Sequence, residues 1–151
     1  MFGDERATLV ALLQYQRDCV VRKVDGLSED EARAAPVASG TSLLWLLRHL
    51  GRAEAIWVLH RFAGLDVDAD LLGNRLRSDD TVPGLLARYR HVLSLVDATV
   101  AASDLDAICV REDEEANPDL RWVLVHLVEE TARHAGHVDL LRESIDGVTG
   151  D

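Results

Sequence analysis

Cysteine is scarce in this 151-residue sequence, and the two cysteines that are present form no motif. Cys19 and Cys109 lie far apart, so they give neither a CxxC pair nor the spacing of a zinc finger. The disulfide framework that stabilises small secreted domains is therefore excluded. We expect two reduced thiols in a cytoplasmic protein, each of them a small, at least half-buried apolar residue.

Basic residues and long apolar runs are lacking as well. There are 16 Lys and Arg against 27 Asp and Glu, which gives a formal net charge of -11. A nucleic-acid backbone requires a basic face, so nucleic acid is not an expected partner. The sequence contains no run of 18 apolar residues, so we expect no membrane span, and the N-terminus lacks the pattern of a secretion signal. The length predicts one domain over residues 1–151.

The acidic residues cluster in segments 66–70, 78–80 and 111–119. None of these segments has the glycine and distal glutamate that a calcium-binding EF-hand loop requires. We therefore expect three solvated loops.

Capping and breaking residues divide the chain into four long helical segments. The segments run from about residue 4 to 26, 41 to 64, 81 to 102 and 117 to 147, and their predicted N-caps are Asp4, Thr41 or Ser42, Thr81 and Asn117. Pro118 is the predicted first residue of the last helix, and Ser28 with Glu31 forms a capping-box pattern for a short helical turn. Strand-like alternation is confined to residues 106–112. The pattern predicts an all-α fold, a four-helix bundle with longer loops between helices.

The apolar stripe of the fourth helix is interrupted by polar residues. At helical periodicity the stripe passes through Glu130, His134 and His137. Glu130 and His134 are four residues apart and therefore share a face. Burial of an acid and an imidazole is costly unless they are paired or bind a ligand. Taken alone, this spacing is a weak signal for a metal site and is more typical of a satisfied Glu–His pair or an internal hydrogen bond.

A third polar residue interrupts the second long helix. His49 lies in the apolar stripe of "LLWLLRHLGRAE". Convergence of His49 with Glu130 and His134 gives two nitrogen ligands and one oxygen ligand, which suits Zn²⁺, with Ni²⁺, Fe²⁺ or Mn²⁺ as alternatives. Three protein ligands leave positions for water or substrate, as in catalytic sites. A core histidine bonded to a backbone carbonyl remains the alternative for His49.

Two segments together resemble a known family. "SLLWLLRHLGRAEAIWVLHRFAG" and "HLVEETARHAGHVDLLRESIDG" resemble the DinB-like metal-binding bundles, in the branch of small mycothiol-dependent S-transferase-like proteins. The resemblance covers nearly the whole chain. It implies a divalent metal held by His49, Glu130 and His134, in the Glu-x-x-x-His variant of the metal-binding domain of mycothiol-dependent maleylpyruvate isomerase. The resemblance implies the metal site but does not extend to the isomerase reaction, because the multidomain isomerase has an additional C-terminal domain that these 151 residues are too few to include.

Other residues near these positions have weaker predictions. His126 is a partner of Glu130, a substrate contact or a boundary histidine, and His137 is pocket lining or a substitute ligand. Trp45, one turn before His49, is expected to wall the pocket. The remaining expectations are core aromatics at Trp57 and Trp122, a solvated face with Arg48, Arg52 and His60, and close helix packing at Gly136.

The resemblance implies an enzyme that activates a low-molecular-weight thiol as a metal-bound thiolate. The resemblance implies that the thiol is mycothiol, a pseudodisaccharide, with bacillithiol as the alternative, and that it is conjugated to electrophilic small molecules in detoxification. The alternatives are a hydrolase that uses a metal-bound water and a non-catalytic, stress-related metal-binding bundle. A homodimer is a further expectation.

Overall fold

Helices make up the regular structure of this protein. A computed structural model describes residues 3–111 and 117–149. The helices are α1 (Glu5–Val24), α2 (Glu29–Arg33), α3 (Leu43–Glu54) with a π-helical continuation (Ala55–Phe62), α4 (Ala69–Leu72), α5 (Val82–Ala101) and α6 (Leu120–Asp146). Within the described ranges, extended pairing is limited to an isolated bridge between Ile108 and Asp119. The predicted all-α fold is confirmed.

The helix starts follow the predicted caps, with one exception. Asp4, Ser42 and Thr81 cap α1, α3 and α5, and Ser28 forms the predicted capping box with Glu31. The predicted start of α6 at Asn117 and Pro118 is wrong, because α6 begins at Leu120 and is capped by Asp119. The preceding residues pair instead with the segment before them, through Cys109 N–H to Pro118 O at 3.0 Å and Leu120 N–H to Ala107 O at 2.9 Å.

The four long helices pack as a bundle around apolar side chains. α1 lies against α6, and α3 lies against both α5 and α6. The core is rich in leucine and valine, including the fully buried Leu46, Leu50, Leu127 and Val138. These residues recur at helical spacing on α3 and α6, so burial of the two stripes brings the two helices together. In the described part of the chain, no helix is long and apolar enough to cross a bilayer.

A buried ion pair fixes the junction between α3 and the π-helix. Arg17 of α1 donates to both carboxylate oxygens of Glu54 at 2.7 Å, and both side chains are 1% exposed. Arg17 also donates to Asp97 of α5 at 2.8 Å. Burial raises the pKa of the Glu54 carboxyl, and the Arg17 guanidinium opposes this by stabilising the ionised form. The network therefore ties three helices together where the helical pitch changes.

The π-helix alters the register of the second long helix. Ala63 N–H bonds to Val58 O at 2.9 Å, five residues back, so the turn is wider than an α-helical turn. The helix ends at Phe62, and Gly64, two residues later, has a φ of +69° in the left-handed region. A Cβ at this position would approach Val110 Cγ1 to 2.7 Å. Glycine is therefore required here by both backbone conformation and space.

The segment between the π-helix and α5 folds back onto α3. Arg48 donates to Asp70 at 2.8 Å and contacts Asp80 at 3.3 Å, and Arg52 donates to the carbonyl of Leu72 at 2.7 Å. The predicted solvated face is therefore wrong for Arg48, which is 6% exposed, because the acids 70 and 80 cover it. Those acids hold the segment in place. Residues 112–116 of the third predicted acidic loop lie outside the described residues.

Two smaller predictions are also wrong. Trp122 is 49% exposed rather than a core aromatic, because it follows the α6 cap on the outer face of the helix. A Cβ at Gly136 would meet no atom within 4 Å, so no helix approaches closely there.

Candidate metal centre

Two long helices supply the three polar residues that interrupt the apolar stripes. His49 lies in the second turn of α3, and Glu130 and His134 lie one turn apart near the middle of α6. Burial of Leu46 and Leu50 on α3 and of Leu127 and Val138 on α6 turns these faces toward each other. The side chains of His49, Glu130 and His134 are 17%, 15% and 15% exposed, so the cluster lies at the edge of the core.

The ligand atoms of the three residues converge. His49 Nε2 lies 2.9 Å from Glu130 Oε1, and His134 Nε2 lies 3.3 Å from the same oxygen. One nitrogen from each imidazole and one carboxylate oxygen all lie within 4.8 Å of one another. The two imidazole rings meet edge to face, with centroids 4.8 Å apart. This is a compact set of two nitrogen donors and one oxygen donor.

The charge states of Glu130 and His134 suit metal ligation. Burial raises the pKa of Glu130, but the hydrogen bond from His49 and the nearby His134, His49 and Arg133 outweigh it, so this pKa lies below its usual range. Burial lowers the pKa of His134 more than the Glu130 charge raises it. An ionised carboxylate beside a neutral imidazole is therefore favoured near neutral pH. Metal ligands must be in these deprotonated states.

His49 is oriented from both sides. Trp45, one turn earlier on α3, stacks on its ring with centroids 4.9 Å apart and an interplanar angle of 10°. His49 Nδ1 lies 3.3 Å from the side-chain oxygen Oδ1 of Asn74. The Asn74 oxygen and the Glu130 carboxylate both only accept, so without a metal Nε2–H donates to Glu130 Oε1, whereas a metal bound at Nε2 would leave the ring proton on Nδ1, where Asn74 Oδ1 can accept it. A hydrogen bond to the second ring nitrogen is the usual way in which a ligating histidine is fixed.

Asn74 was missed in the sequence, since it lies in the segment between the π-helix and α5 and carries no periodic signal. Its position depends on the arginines of α3, which hold that segment against the helix through Asp70, Asp80 and the carbonyl of Leu72. The interleaving of Arg48 and Arg52 with His49 in the sequence was the available signal. It becomes interpretable only once their acidic and carbonyl partners are located.

The remaining candidate residues lie on either side of the cluster. His137 is exposed, and its Nδ1 lies 3.2 Å from His134 Nδ1. His126 instead packs between two tryptophans, with ring centroids 4.6 Å from Trp57 and 5.2 Å from Trp122. The described contacts of the Glu130 carboxylate are with His49, His134 and Arg133. The structure thus brings His137 to the cluster and places His126 in an aromatic group on α6 and the π-helix.

Comparison with known proteins supplies a family. A family model described as mycothiol-S-transferase matches residues 8–147. The chain belongs to the mycothiol-S-transferase family. All three residues of the cluster, together with Trp45 and Asn74, lie within the matched region. The resemblance on which the sequence-based prediction rests is therefore confirmed at the level of the family.

The fold of this family member also matches a solved structure. A conserved protein from Enterococcus faecalis, known from a crystal structure, aligns over 94% of this chain and 97% of its own chain, with a TM-score of 0.70 and 12% sequence identity. At this identity the likeness shows the shared fold alone. No curated protein matches the sequence.

Proposed function

We propose that this protein is a divalent-metal-dependent transferase that conjugates a low-molecular-weight thiol, mycothiol, to electrophilic small molecules. The observation that carries the proposal is the convergence of His49, Glu130 and His134 within 4.8 Å in a member of the mycothiol-S-transferase family. We propose further that it acts in the cytoplasm, where thiols are kept reduced. Its role there is to detoxify electrophiles.

The donor set fits a divalent transition metal. His49 and His134 each offer Nε2, and Glu130 offers Oε1, which is the two-nitrogen, one-oxygen set found in catalytic zinc sites. The set suits Zn²⁺ best, and Ni²⁺, Fe²⁺ and Mn²⁺ are alternatives.

The protein residues have separate roles in this proposal. When bound, the metal lowers the pKa of an incoming thiol and favours the nucleophilic thiolate. Trp45 and Asn74 hold the ring of His49 in a fixed orientation and tautomer. His137 lies at the exposed edge of the cluster, where a cosubstrate has access, and His126 lies further along α6. In conjugate addition, the thiol sulfur bonds to the electrophilic carbon and the thiol proton ends on the adjacent carbon, so no further reagent is required.

The test combines metal analysis with a scan of thiols. Protein purified without chelator is analysed for metal, and product formation is measured with mycothiol, bacillithiol or glutathione and a halogenated bimane acceptor, with and without Zn²⁺. We expect stoichiometric metal and mycothiol-dependent product, both lost in His49→Ala. His91→Ala is the matched control, because His91 is an exposed histidine on α5 away from the cluster. It should retain both.

The same experiment separates the alternatives. Metal that is present without thiol transfer, but with hydrolysis of activated esters or amides, would indicate a hydrolase. Metal that is bound without either reaction would indicate a non-catalytic bundle. Equal metal content in wild type and His49→Ala would contradict the proposed ligand set. The proposed homodimer is tested separately by sedimentation equilibrium.

A further inference from the structure

A cavity of about 260 Å³ opens beside the three-residue cluster. One wall is formed by the segment that precedes α3 and the other by the last turns of α6. The residues used in the argument are Val37, Ser39 and Thr41 on the first wall and His137, Leu140 and Ser144 on the second.

The cavity is connected to the cluster through a single side chain. His137 lines the cavity, and its Nδ1 lies 3.2 Å from His134 Nδ1. His134 Nε2 in turn lies 3.3 Å from Glu130 Oε1. A molecule in the cavity that contacts His137 is therefore separated from the ligand atom Nε2 of His134 by two imidazole rings, whose centroids are 5.2 Å apart. This proximity separates the cavity from the other surface depressions of the described chain.

The lining favours a neutral, apolar ligand. Although the chain has a net charge of -11, the lining contains no Asp, Glu, Lys or Arg. Its hydroxyls are already bonded, Ser39 Oγ to Thr41 Oγ1 at 2.8 Å and Ser144 Oγ to the carbonyl of Leu140 at 2.8 Å. A charged ligand would lose hydration here without a charged partner.

The apolar surface of the cavity is directly accessible. Val37 is 44% exposed and Leu140 is 65% exposed. Burial of this surface under a ligand contributes roughly 25 cal/mol for each Å² of apolar area removed from water. An apolar molecule therefore gains from occupying the cavity.

The volume of the cavity fits the smaller of the two cosubstrates, the electrophile, better than the thiol. An apolar cavity of about 150 Å³ holds benzene, so about 260 Å³ holds a single substituted ring or a short aliphatic chain. Drug-sized ligands occupy pockets of roughly 300–1,000 Å³. A pseudodisaccharide thiol is larger, and its many hydroxyls need more hydrogen-bond partners than the three hydroxyls and one imidazole of this lining offer. The cavity thus suits the electrophile rather than the thiol.

We propose that this cavity is the acceptor subsite and that it binds a small, neutral, apolar electrophile with its reactive carbon at the His137 end. The reaction assigned to the site rests on the proposed function, whereas binding of the apolar molecule does not. The thiol sulfur forms its bond to the reactive carbon, and in conjugate addition the thiol proton is transferred to the neighbouring carbon. In substitution, a halide leaves together with that proton.

The first measurement is direct binding without turnover. Binding of 4-fluoroacetophenone, a neutral aromatic probe, is followed by ¹⁹F NMR on metal-free and Zn²⁺-loaded protein. Ser144→Phe fills the cavity from α6, and we expect it to weaken binding at least tenfold. Ser94→Phe is the matched control, since Ser94 is an exposed helical serine that also donates to a backbone carbonyl of its own helix, and it should bind within twofold of wild type.

Two further measurements test whether a loss of binding comes from misfolding and whether binding of the probe is non-specific. Val37→Trp fills the cavity from the opposite wall and should repeat the effect of Ser144→Phe, with far-UV circular dichroism confirming the fold of each variant. The anionic probe 4-fluorobenzoate should bind at least tenfold more weakly than the ketone. Unchanged ketone binding in both folded variants, or equally tight binding of the benzoate, overturns the proposal.

Kinetics separate failure of the subsite from failure of the proposed function. With active protein, Ser144→Phe should raise the KM for an apolar acceptor about tenfold and leave the KM for the thiol and the zinc content unchanged. A rise confined to the thiol KM overturns the subsite. If wild type shows no transfer but loses probe binding on Ser144→Phe, the apolar site stands and the transferase function fails. A cavity covered by a second copy would show no probe binding and a changed sedimentation of Ser144→Phe, which overturns the subsite.

Discussion

Asn74→Ala removes the hydrogen-bond partner of His49 without touching a proposed metal ligand. In the structure the Asn74 Oδ1 oxygen lies 3.3 Å from His49 Nδ1, where it can accept the ring proton when a metal takes Nε2. Without it, the imidazole can carry its proton on either nitrogen and turns more freely about the stacking contact with Trp45. Both changes lower the fraction of protein in which Nε2 is ready to bind metal.

The expected loss of metal affinity follows from the geometry. A neutral hydrogen bond contributes roughly 0.5–1.5 kcal/mol, and 3.3 Å is slightly long for an N–H···O bond, whose usual range is about 2.7–3.2 Å. Loss of such partners of metal-ligating histidines typically lowers metal affinity about 10–100-fold. We therefore expect a loss of affinity near the lower end of that range, which means a Kd for Zn²⁺ about tenfold higher than that of wild type. Asn74→Asp keeps an acceptor and adds negative charge, so it should bind Zn²⁺ at least as tightly as wild type.

The assay is competition for Zn²⁺ with a chromophoric chelator at constant pH and ionic strength, on protein stripped of metal beforehand. Ser78→Ala is the matched control, because Ser78 is an exposed neutral residue of the same segment. It should leave the Kd unchanged. If Asn74→Ala binds Zn²⁺ within twofold of wild type, or if Asn74→Asp loses as much affinity as Asn74→Ala, the hydrogen bond does not position His49 and the reasoning is refuted.

The remaining predictions concern the free energy of unfolding, measured in each case by urea denaturation. Arg17→Met leaves Glu54 buried without its partner and should lower the free energy of unfolding by about 3–5 kcal/mol. The double variant Arg17→Met/Glu54→Leu should recover part of that stability, and an equal or greater loss in the double variant contradicts the prediction. Hydrogen bonds from arginines to Asp70 hold the pKa of its carboxyl well below the usual range, so its stabilising effect is present above the unfolded value of about 3.9 and is lost as pH falls. Asp70→Asn should therefore narrow the stability difference between neutral pH and about pH 3, and an unchanged difference contradicts this. Gly136→Ala should stabilise the protein by about 1 kcal/mol because α6 has room for the Cβ, while Gly64→Ala should destabilise it by at least about 1 kcal/mol because of its positive φ and the contact with Val110.

Local signals predicted most of the helix boundaries. Ser42 and Thr81 lie where non-helical chain turns into an amphipathic segment, and their side chains accept the expected backbone hydrogen bonds. The start of α6 was displaced because residues 107–109 compete for the backbone groups of 118–120. Such a competitor lies outside the local window from which a cap is predicted. The π-helix could likewise not be predicted from the local sequence, because its widened turn begins beside a buried ion pair between distant residues, Arg17 and Glu54.

For the candidate site, too, one part follows from local sequence spacing and another part depends on tertiary packing. The spacing of Glu130 and His134 fixes their common face on α6, because two residues four apart in any α-helix stack one above the other. That they meet His49 depends on how α3 packs against α6, and the packing is set by burial of both apolar stripes. The resemblance to the family anticipated that meeting, whereas the pattern around His49 alone favoured a core histidine bonded to a backbone carbonyl.

The sequence by itself determined the helices, their inward faces and the three residues proposed as ligands, because these depend on periodicity, on capping chemistry and on the resemblance to one family. Only the tertiary structure decided that Arg48 is covered by acids, that Asn74 reaches His49, and that an apolar cavity opens beside His137. Each of these involves residues far apart in the chain. Their contacts are set by the packing of whole segments, which no local pattern encodes.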